Sequence, residues 1–205
     1  MLSKLRRKFG GFFYSLALLL AKGGLRPNHL TFMGLFLSII IPVITYITKS
    51  PLLALVLVLL SSFADVLDGS LARVKGLMTR FGAFLDSLCD RVSDTAYSIT
   101  LLILGLDPLV VMIFLATSLI ISYSRARAES LGLKLEGIGL MERAERILVI
   151  TIVLIFLTID RLRYIAISNT VLLIASVLNV LTIVQRGLAV WKYLKGISMK
   201  HGSSP

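Results

Sequence analysis

Cysteine is almost absent from the chain. Cys89 stands alone in 205 residues, which excludes an internal disulfide and implies no redox chemistry. Acidic residues are also scarce, 11 against 22 lysines and arginines, for a formal net charge of +11. No internal repeat or low-complexity segment is visible. The apolar part of the basic start, from Phe12 to Ala21, is short and lacks a convincing cleavage site, so no cleavable signal peptide is expected.

What the chain does have is apolar length. Hydrophobic residues make up 57% of it and the mean hydropathy is +0.91, above the roughly 45–50% of an ordinary soluble domain. The excess is concentrated in long runs, which predicts an all-α integral membrane protein. Six spans are expected at about 30–48, 52–72, 82–104, 108–124, 147–165 and 167–190, each near the roughly 20 residues that a bilayer requires. Pro27 opens the first, Lys49, Ser50 and Pro51 turn the chain into the second, and Asp107 with Pro108 reverses it between the third and fourth. Before them, Lys4, Arg6, Arg7 and Lys8 precede Phe9, Phe12, Phe13 and Tyr14, the pattern of an interfacial amphipathic helix. The expected organisation is a juxtamembrane helix over 1–26, a six-helix domain over 27–195 and a tail over 196–205.

The basic residues lie between the apolar runs, so anionic lipid headgroups and phosphorylated substrates, not nucleic acid, are the expected partners. With six spans, 18 of the 22 basic residues fall on one side. Lys49, Arg161 and Arg163 fall on the other, and Arg91 lies within the third span. That asymmetry predicts cytoplasmic termini in a cell-membrane protein.

Acid is concentrated where it is most costly. Asp65 and Asp68 close the second span three residues apart, while Asp86 and Asp90 open the third four apart. On helices each pair shares a face. The short basic connector makes the two helices antiparallel neighbours, so both pairs meet near the cytoplasmic surface. One such aspartate is often a solvated residue or a cap, but intramembrane acids at helical spacing on adjacent spans are usually functional. Four carboxylates at one depth repel unless cations intervene. Hard oxygen ligands suit Mg²⁺, Mn²⁺ or Ca²⁺, and two ions balance four negative charges. Gly69, Ala72 and Gly82 allow close helix packing or close approach of a base or diphosphate, and Arg73 adds a fixed positive charge.

The order Asp65, Asp68, Gly69, Ala72, Arg73, Gly82, Asp86, Asp90, with its spacings, resembles the signature of the CDP-alcohol phosphotransferase family. Pro27, Asn28 and Thr31 are similar to the Pro-Asn-x-x-Thr element that precedes its first span; taken alone they are an ordinary helix start, with Asn28 or Thr31 as cap. The resemblance covers nearly the whole chain. It implies a Mg²⁺- or Mn²⁺-dependent displacement, with two ions, in which an acceptor hydroxyl attacks the phosphorus attached to the lipid alcohol and CMP leaves. It makes Asp65, Asp68 and Asp86 metal ligands and Asp90 the general base, with a possible metal contact of its own. Asn28, Thr31, Gly69, Ala72, Arg73, Thr79 and Gly82 become nucleotide contacts. A homodimer is also implied. Phosphoryl transfer needs charge neutralisation and in-line positioning more than covalent help, which agrees. Asp94, one turn past Asp90 and outside the signature, is expected to pair with Arg91 or another basic residue, or else to support the site indirectly. Cys89 reads as a packing residue.

The acceptor is read from the connector after the fourth span, where Arg125, Arg127, Lys134, Arg143 and Arg146 face the same side as the aspartates. Topology, with Glu129, Glu142 and Glu145 as partners, accounts for any one of them. Together they suit a phosphate, which arginine grips in a bidentate fork. The runs at 122–129 and 142–146 are similar to those of phosphatidylinositol-phosphate and archaetidylinositol-phosphate synthases. That resemblance implies inositol 1-phosphate as acceptor, held by Arg125, Arg143 and Arg186, with Arg127 and Arg146 as further contacts. The same arginines would serve a phosphatidylglycerophosphate synthase acting on glycerol 3-phosphate. A serine acceptor offers them no phosphate, and aspartate-rich prenyltransferases lack the Gly-x-x-Ala-Arg continuation. A cation transporter is the alternative of another class, disfavoured because nothing acidic lines the outer half of the bundle. The apolar spans do not distinguish CDP-diacylglycerol from CDP-archaeol. No cytidylyltransferase segment is visible ahead of the first span, so the CDP-lipid is expected from another protein.

Overall fold

The computed structural model describes the backbone over residues 2–135 and 137–201 and the side chains over 11, 13–135 and 137–196. Every regular element among them is a helix: α1 (Leu2–Lys22), α2 (Pro27–Thr48), α3 (Pro51–Lys75), α4 (Arg80–Ile103), α5 (Pro108–Ser130), α6 (Arg143–Ile159) and α7 (Arg161–His201).

Local chemistry sets most of the ends. Pro27, Pro51 and Pro108 stand in first turns, where a missing N–H costs nothing. The Ser50, Thr79 and Asp107 side chains accept from the backbone N–H of Leu53, Gly82 and Val110. Arg26, without a side-chain bond, occupies the cap position of α2, so neither Asn28 nor Thr31 caps it. Proline already removes one orphan donor there, which frees the Thr31 hydroxyl for a longer-range partner.

Four stretches are long and apolar enough to cross a membrane: Pro27–Thr48, Pro51–Lys75, Pro108–Ser130 and Arg161–Gly196. Their outer faces carry large apolar side chains, such as Phe32, Phe36, Val43 and Ile47 on α2, as lipid contact requires. The protein is a multi-pass membrane protein. Two expected spans fall short of that measure. Charged residues reach well into α4, at Asp86, Asp90, Arg91 and Asp94, and α6 has 17 residues with charges in its first turn.

The break between the last two helices comes earlier than the expected 165/167 boundary. Asp160 adopts an extended conformation that ends α6, and its carboxylate accepts from the Arg163 N–H at the start of α7. The chain then runs as one helix to His201, across the expected 195/196 boundary. The basic run of the expected interfacial helix, Lys4 to Lys8, lies outside the described side chains. Farther along α1, Phe13, Leu16, Ala17 and Leu20 form a stripe packed with Leu67 and Leu71 of α3, and the Phe13 and Phe63 rings lie 5.8 Å apart.

The core runs through the bundle from Ile41 and Val58 through Tyr97, Phe114 and Leu154 to Leu172. Small polar residues bind the helices inside it. Ser61 Oγ donates to the Gly34 carbonyl at 2.8 Å, Tyr97 OH to Ser61 Oγ at 3.0 Å, and Asn179 Nδ2 to Thr117 Oγ1 at 3.0 Å. A Cβ at Gly34 would sit 3.4 Å from the Ser61 carbonyl, so glycine there allows α2 and α3 to touch backbone to backbone.

The connectors sort to two ends. At one, Lys75 Nζ donates to the Leu25 carbonyl and Arg186 Nε to the Ile138 carbonyl. At the other, Arg161 Nε donates to the Leu104 carbonyl, and the Asp107 N–H to Asn169 Oδ1. The aspartates of α3 and α4 lie at the first, basic end.

Candidate active site

The α3–α4 turn is closed by backbone. Gly76 takes a left-handed φ of 63°, and the N–H groups of Gly76 and Leu77 return to the Arg73 and Ala72 carbonyls, a Schellman ending that reverses the chain in few residues. Thr79 then starts α4. A Cβ at Gly82 would meet Thr79 Oγ1 at 3.0 Å, so glycine keeps this start tight.

The reversal brings the acids together. Asp65, Asp68 and Asp86 each place one oxygen within 4.8 Å of the others. Three hard carboxylate donors at this spacing fit a divalent cation such as Mg²⁺ or Mn²⁺. Asp68 is 4% exposed, and Thr31 Oγ1 donates to its Oδ2 at 2.5 Å. Asn28, at the exposed start of α2, lies one turn before Thr31. Arg73 is exposed and bonds Ser70 Oγ at 3.1 Å; its guanidinium lies over Gly69, 3.7 Å from where a Cβ would stand.

Asp90 lies outside that trio and faces Arg143. Its Oδ1 is 2.7 Å from Arg143 Nη1, and the same nitrogen bonds Asp65 Oδ2. A single guanidinium therefore joins the metal-competent trio to Asp90. Arg91 lies 3.6 Å from Asp90 Oδ2. Asp94 finds its partner in Arg146, whose Nη2 donates at 3.1 Å, and not in Arg91.

The remaining arginines are dispersed. Arg125 is exposed and pairs with Glu129 at 2.9 Å. Arg127, also exposed, bonds Ser130 Oγ at 3.3 Å. Arg186, 2% exposed, donates to the carbonyls of Ile138 and Ile121, with Glu142, Arg125, Arg146 and Glu129 as its charged surroundings. It holds the α5–α6 connector onto α7. Thr182 Oγ1 does the same for the Leu140 and Met141 N–H groups. Gly139, at φ 116°, leaves room for Thr182 where a Cβ would collide at 2.3 Å. Sequence reading missed this anchoring, although Gly137 and Gly139 ahead of α6 mark a strained connector. It also missed the joint hold of Arg143 on Asp65 and Asp90, for which residue spacing carries no signal. Cys89 is buried and free, as a packing residue should be.

The geometry agrees with what the chain resembles. An archaetidylinositol phosphate synthase of Aeropyrum pernix is 42% identical over 137 residues, 67% of this chain and 69% of that protein. One of Pyrococcus horikoshii is 38% identical, over 76% of this chain and 83% of that protein. The crystal structure of Mycobacterium tuberculosis phosphatidylinositol phosphate synthase in complex with manganese and citrate superposes with a TM-score of 0.75 at 31% identity, covering 87% of this chain and 88% of that one. The same protein with CDP-DAG bound gives 0.73 at 32% identity, covering 87% and 93%. Residues 25–191 match the CDP-alcohol phosphatidyltransferase family, and the chain belongs to that family.

Proposed function

We propose that this enzyme transfers the phospho-lipid moiety of a CDP-lipid, CDP-diacylglycerol or CDP-archaeol, to inositol 1-phosphate with release of CMP. The observation that carries the reading is the place of Arg143, against Asp65 of the trio and Asp90 together. A cation there puts an anionic acceptor beside both the cation-binding carboxylates and a candidate base. The names and ligands of the relatives support the same assignment.

In this scheme Asp65, Asp68 and Asp86 hold the divalent ions, and Thr31 steadies Asp68. A bound ion would neutralise the diphosphate charge and favour departure of CMP. Asn28, Thr31, Gly69, Ala72, Arg73, Thr79 and Gly82 line the nucleotide's approach, with Arg73 exposed for a phosphate. Arg143 receives the acceptor's phosphate, assisted by Arg125 and Arg186, with Arg127 and Arg146 as further contacts. Asp90 takes the proton of the attacking hydroxyl as the new P–O bond forms and the bond to CMP breaks. A carboxylate base suffices because the hydroxyl proton becomes acidic in the transition state. Arg143 also aims Asp90.

The proposal includes six membrane passages preceded by an interfacial helix. Reversals at both ends of the bundle support it, with α4 and α6 crossing among more apolar neighbours. It also includes cytoplasmic termini and active site, supported by the basic end that carries the aspartates. On family resemblance the protein is further assigned to the plasma membrane as a homodimer.

The test is CMP release by purified protein given CDP-lipid, Mg²⁺ or Mn²⁺, and inositol 1-phosphate, glycerol 3-phosphate or serine in turn. Turnover with inositol 1-phosphate far above the others is the expected result. Equal turnover with glycerol 3-phosphate would sink the acceptor assignment, and no CMP release with any acceptor would sink the enzyme reading.

A further inference from the structure

Asp94 belongs to no part of the family signature, yet it occupies a defined position. It follows Asp90 by one turn of α4, so both carboxylates share a face, and it is 6% exposed. Its two oxygens meet two guanidiniums from the first turn of α6: Oδ2 at 3.1 Å from Arg146 Nη2 and Oδ1 at 3.8 Å from Arg143 Nε. Arg146 is itself 3% exposed.

A buried ion pair is a poor stability device, because desolvation offsets most of its attraction and a well-packed apolar pair often does as well. Its use is directional. The Arg143 guanidinium is planar, and Asp65 and Asp90 hold it through Nη1 alone. Contacts through one nitrogen leave the tilt of the plane to the side-chain torsions. Asp94 Oδ1 lies 3.8 Å from Nε, beyond hydrogen-bond reach, and its charge there favours one tilt. Through Arg146 it also ties the first turn of α6 to α4, which holds the Arg143 backbone in register with Asp90.

We propose that Asp94 is a positioning residue for the acceptor: it sets the orientation in which Arg143 presents its guanidinium to an anionic group beside Asp90. The proposal rests on the acceptor-site reading of Arg143 above. Outer carboxylates that orient a ligand-binding side chain typically affect affinity by 10–100-fold in metal sites, and a comparable effect is expected here.

Full-length protein in lipid nanodiscs, wild type and with Asp94→Asn, Asp94→Glu, Arg143→Gln or Asp94→Asn plus Arg143→Gln, would be compared by steady-state CMP release. Asp94→Asn should raise the inositol 1-phosphate KM about tenfold or more, with the CDP-lipid KM within about twofold. Asp94→Glu should restore most of the loss. With Arg143→Gln already present, Asp94→Asn should add little, because two residues that act through one contact are not additive. The same samples would be titrated with inorganic phosphate by calorimetry, and Asp94→Asn should weaken binding about as much as it raises KM.

A loss confined to active fraction and unfolding temperature, with both KM values and phosphate affinity unchanged, would overturn the proposal and leave Asp94 a structural residue. Full additivity with Arg143→Gln would overturn it as well. If Asp94→Asn does not fold, Asp94→Ser carries the KM and phosphate measurements, and wild-type values there overturn the proposal. A wild type that releases no CMP with inositol 1-phosphate defeats the acceptor assignment separately. Phosphate affinity then decides for Asp94: weakened binding in the variant supports the proposal, and unchanged or absent binding overturns it.

Discussion

The carboxylate side of the site and its arginine side are built differently. Asp65, Asp68 and Asp86 come from one helical hairpin, 22 residues from first to last, and a glycine-closed turn suffices to make them converge. The arginines reach their partners across the chain. Arg143 meets Asp65 78 positions away, Arg146 meets Asp94 at 52, and Arg186 meets Ile121 at 65. The acidic half is thus a property of one hairpin. The basic half exists only once α4, α6 and α7 have packed, and it depends on a connector fastened by Thr182 and Arg186. Local cation binding and acceptor placement should therefore fail independently when perturbed.

The largest effect should come from the hairpin. Asp86→Asn, or removal of divalent ions with a chelator, should lower CMP release by roughly 10³-fold or more, the scale on which losing a main electrostatic stabiliser acts. Mn²⁺ binding, followed by electron paramagnetic resonance, should fall in parallel. Asp90→Asn tests where the hairpin's role stops. As the base, Asp90 should carry about 10²–10⁴ in kcat, while Mn²⁺ affinity stays near wild type. A parallel loss of Mn²⁺ would instead make Asp90 a ligand with the other three.

On the arginine side, Arg143→Ala should raise the acceptor KM by about 10–100-fold, the worth of a charge-assisted phosphate contact at roughly 1.5–3 kcal/mol. Unchanged KM would remove Arg143 from the pocket. Gly139→Ala probes the fastening of the connector. Its Cβ would lie 2.3 Å from Thr182 Cγ2 at a φ that only glycine adopts readily, so a loss of about 1–3 kcal/mol is expected. A lowered Tm and a raised acceptor KM, with Mn²⁺ affinity intact, would separate the two halves directly. The smallest effect is Thr31→Val, which removes one hydrogen bond to Asp68 worth about 1 kcal/mol. It should reduce Mn²⁺ affinity about fivefold and leave the acceptor KM alone.

Much of the fold could be read from pattern. Four of the expected spans appear as helices long and apolar enough to cross, and the turns at Pro51 and Pro108 fall where proline and the preceding cap require. The misplaced boundary was the last. Apolar character continues on both sides of Asp160, so hydropathy does not mark a break made by one residue's extended conformation and its bond to Arg163. The cap that Asn28 or Thr31 would supply in an ordinary helix start is absent for a related reason. Local chemistry permits it, but Asp68 on another helix is the partner that Thr31 bonds.

The sequence by itself determined the membrane character, the helical class and the hairpin of carboxylates. Each depends on composition or on spacings within a few helical turns, and helix geometry converts such spacings into shared faces without further information. Only the tertiary structure decided that Arg143 bridges Asp65 and Asp90, that Asp94 answers Arg146, and that Arg186 fastens a connector through backbone carbonyls. A long charged side chain can reach many partners, and which it meets depends on how distant helices pack. Residue identity records the charge of an arginine but not the direction from which its carboxylate arrives.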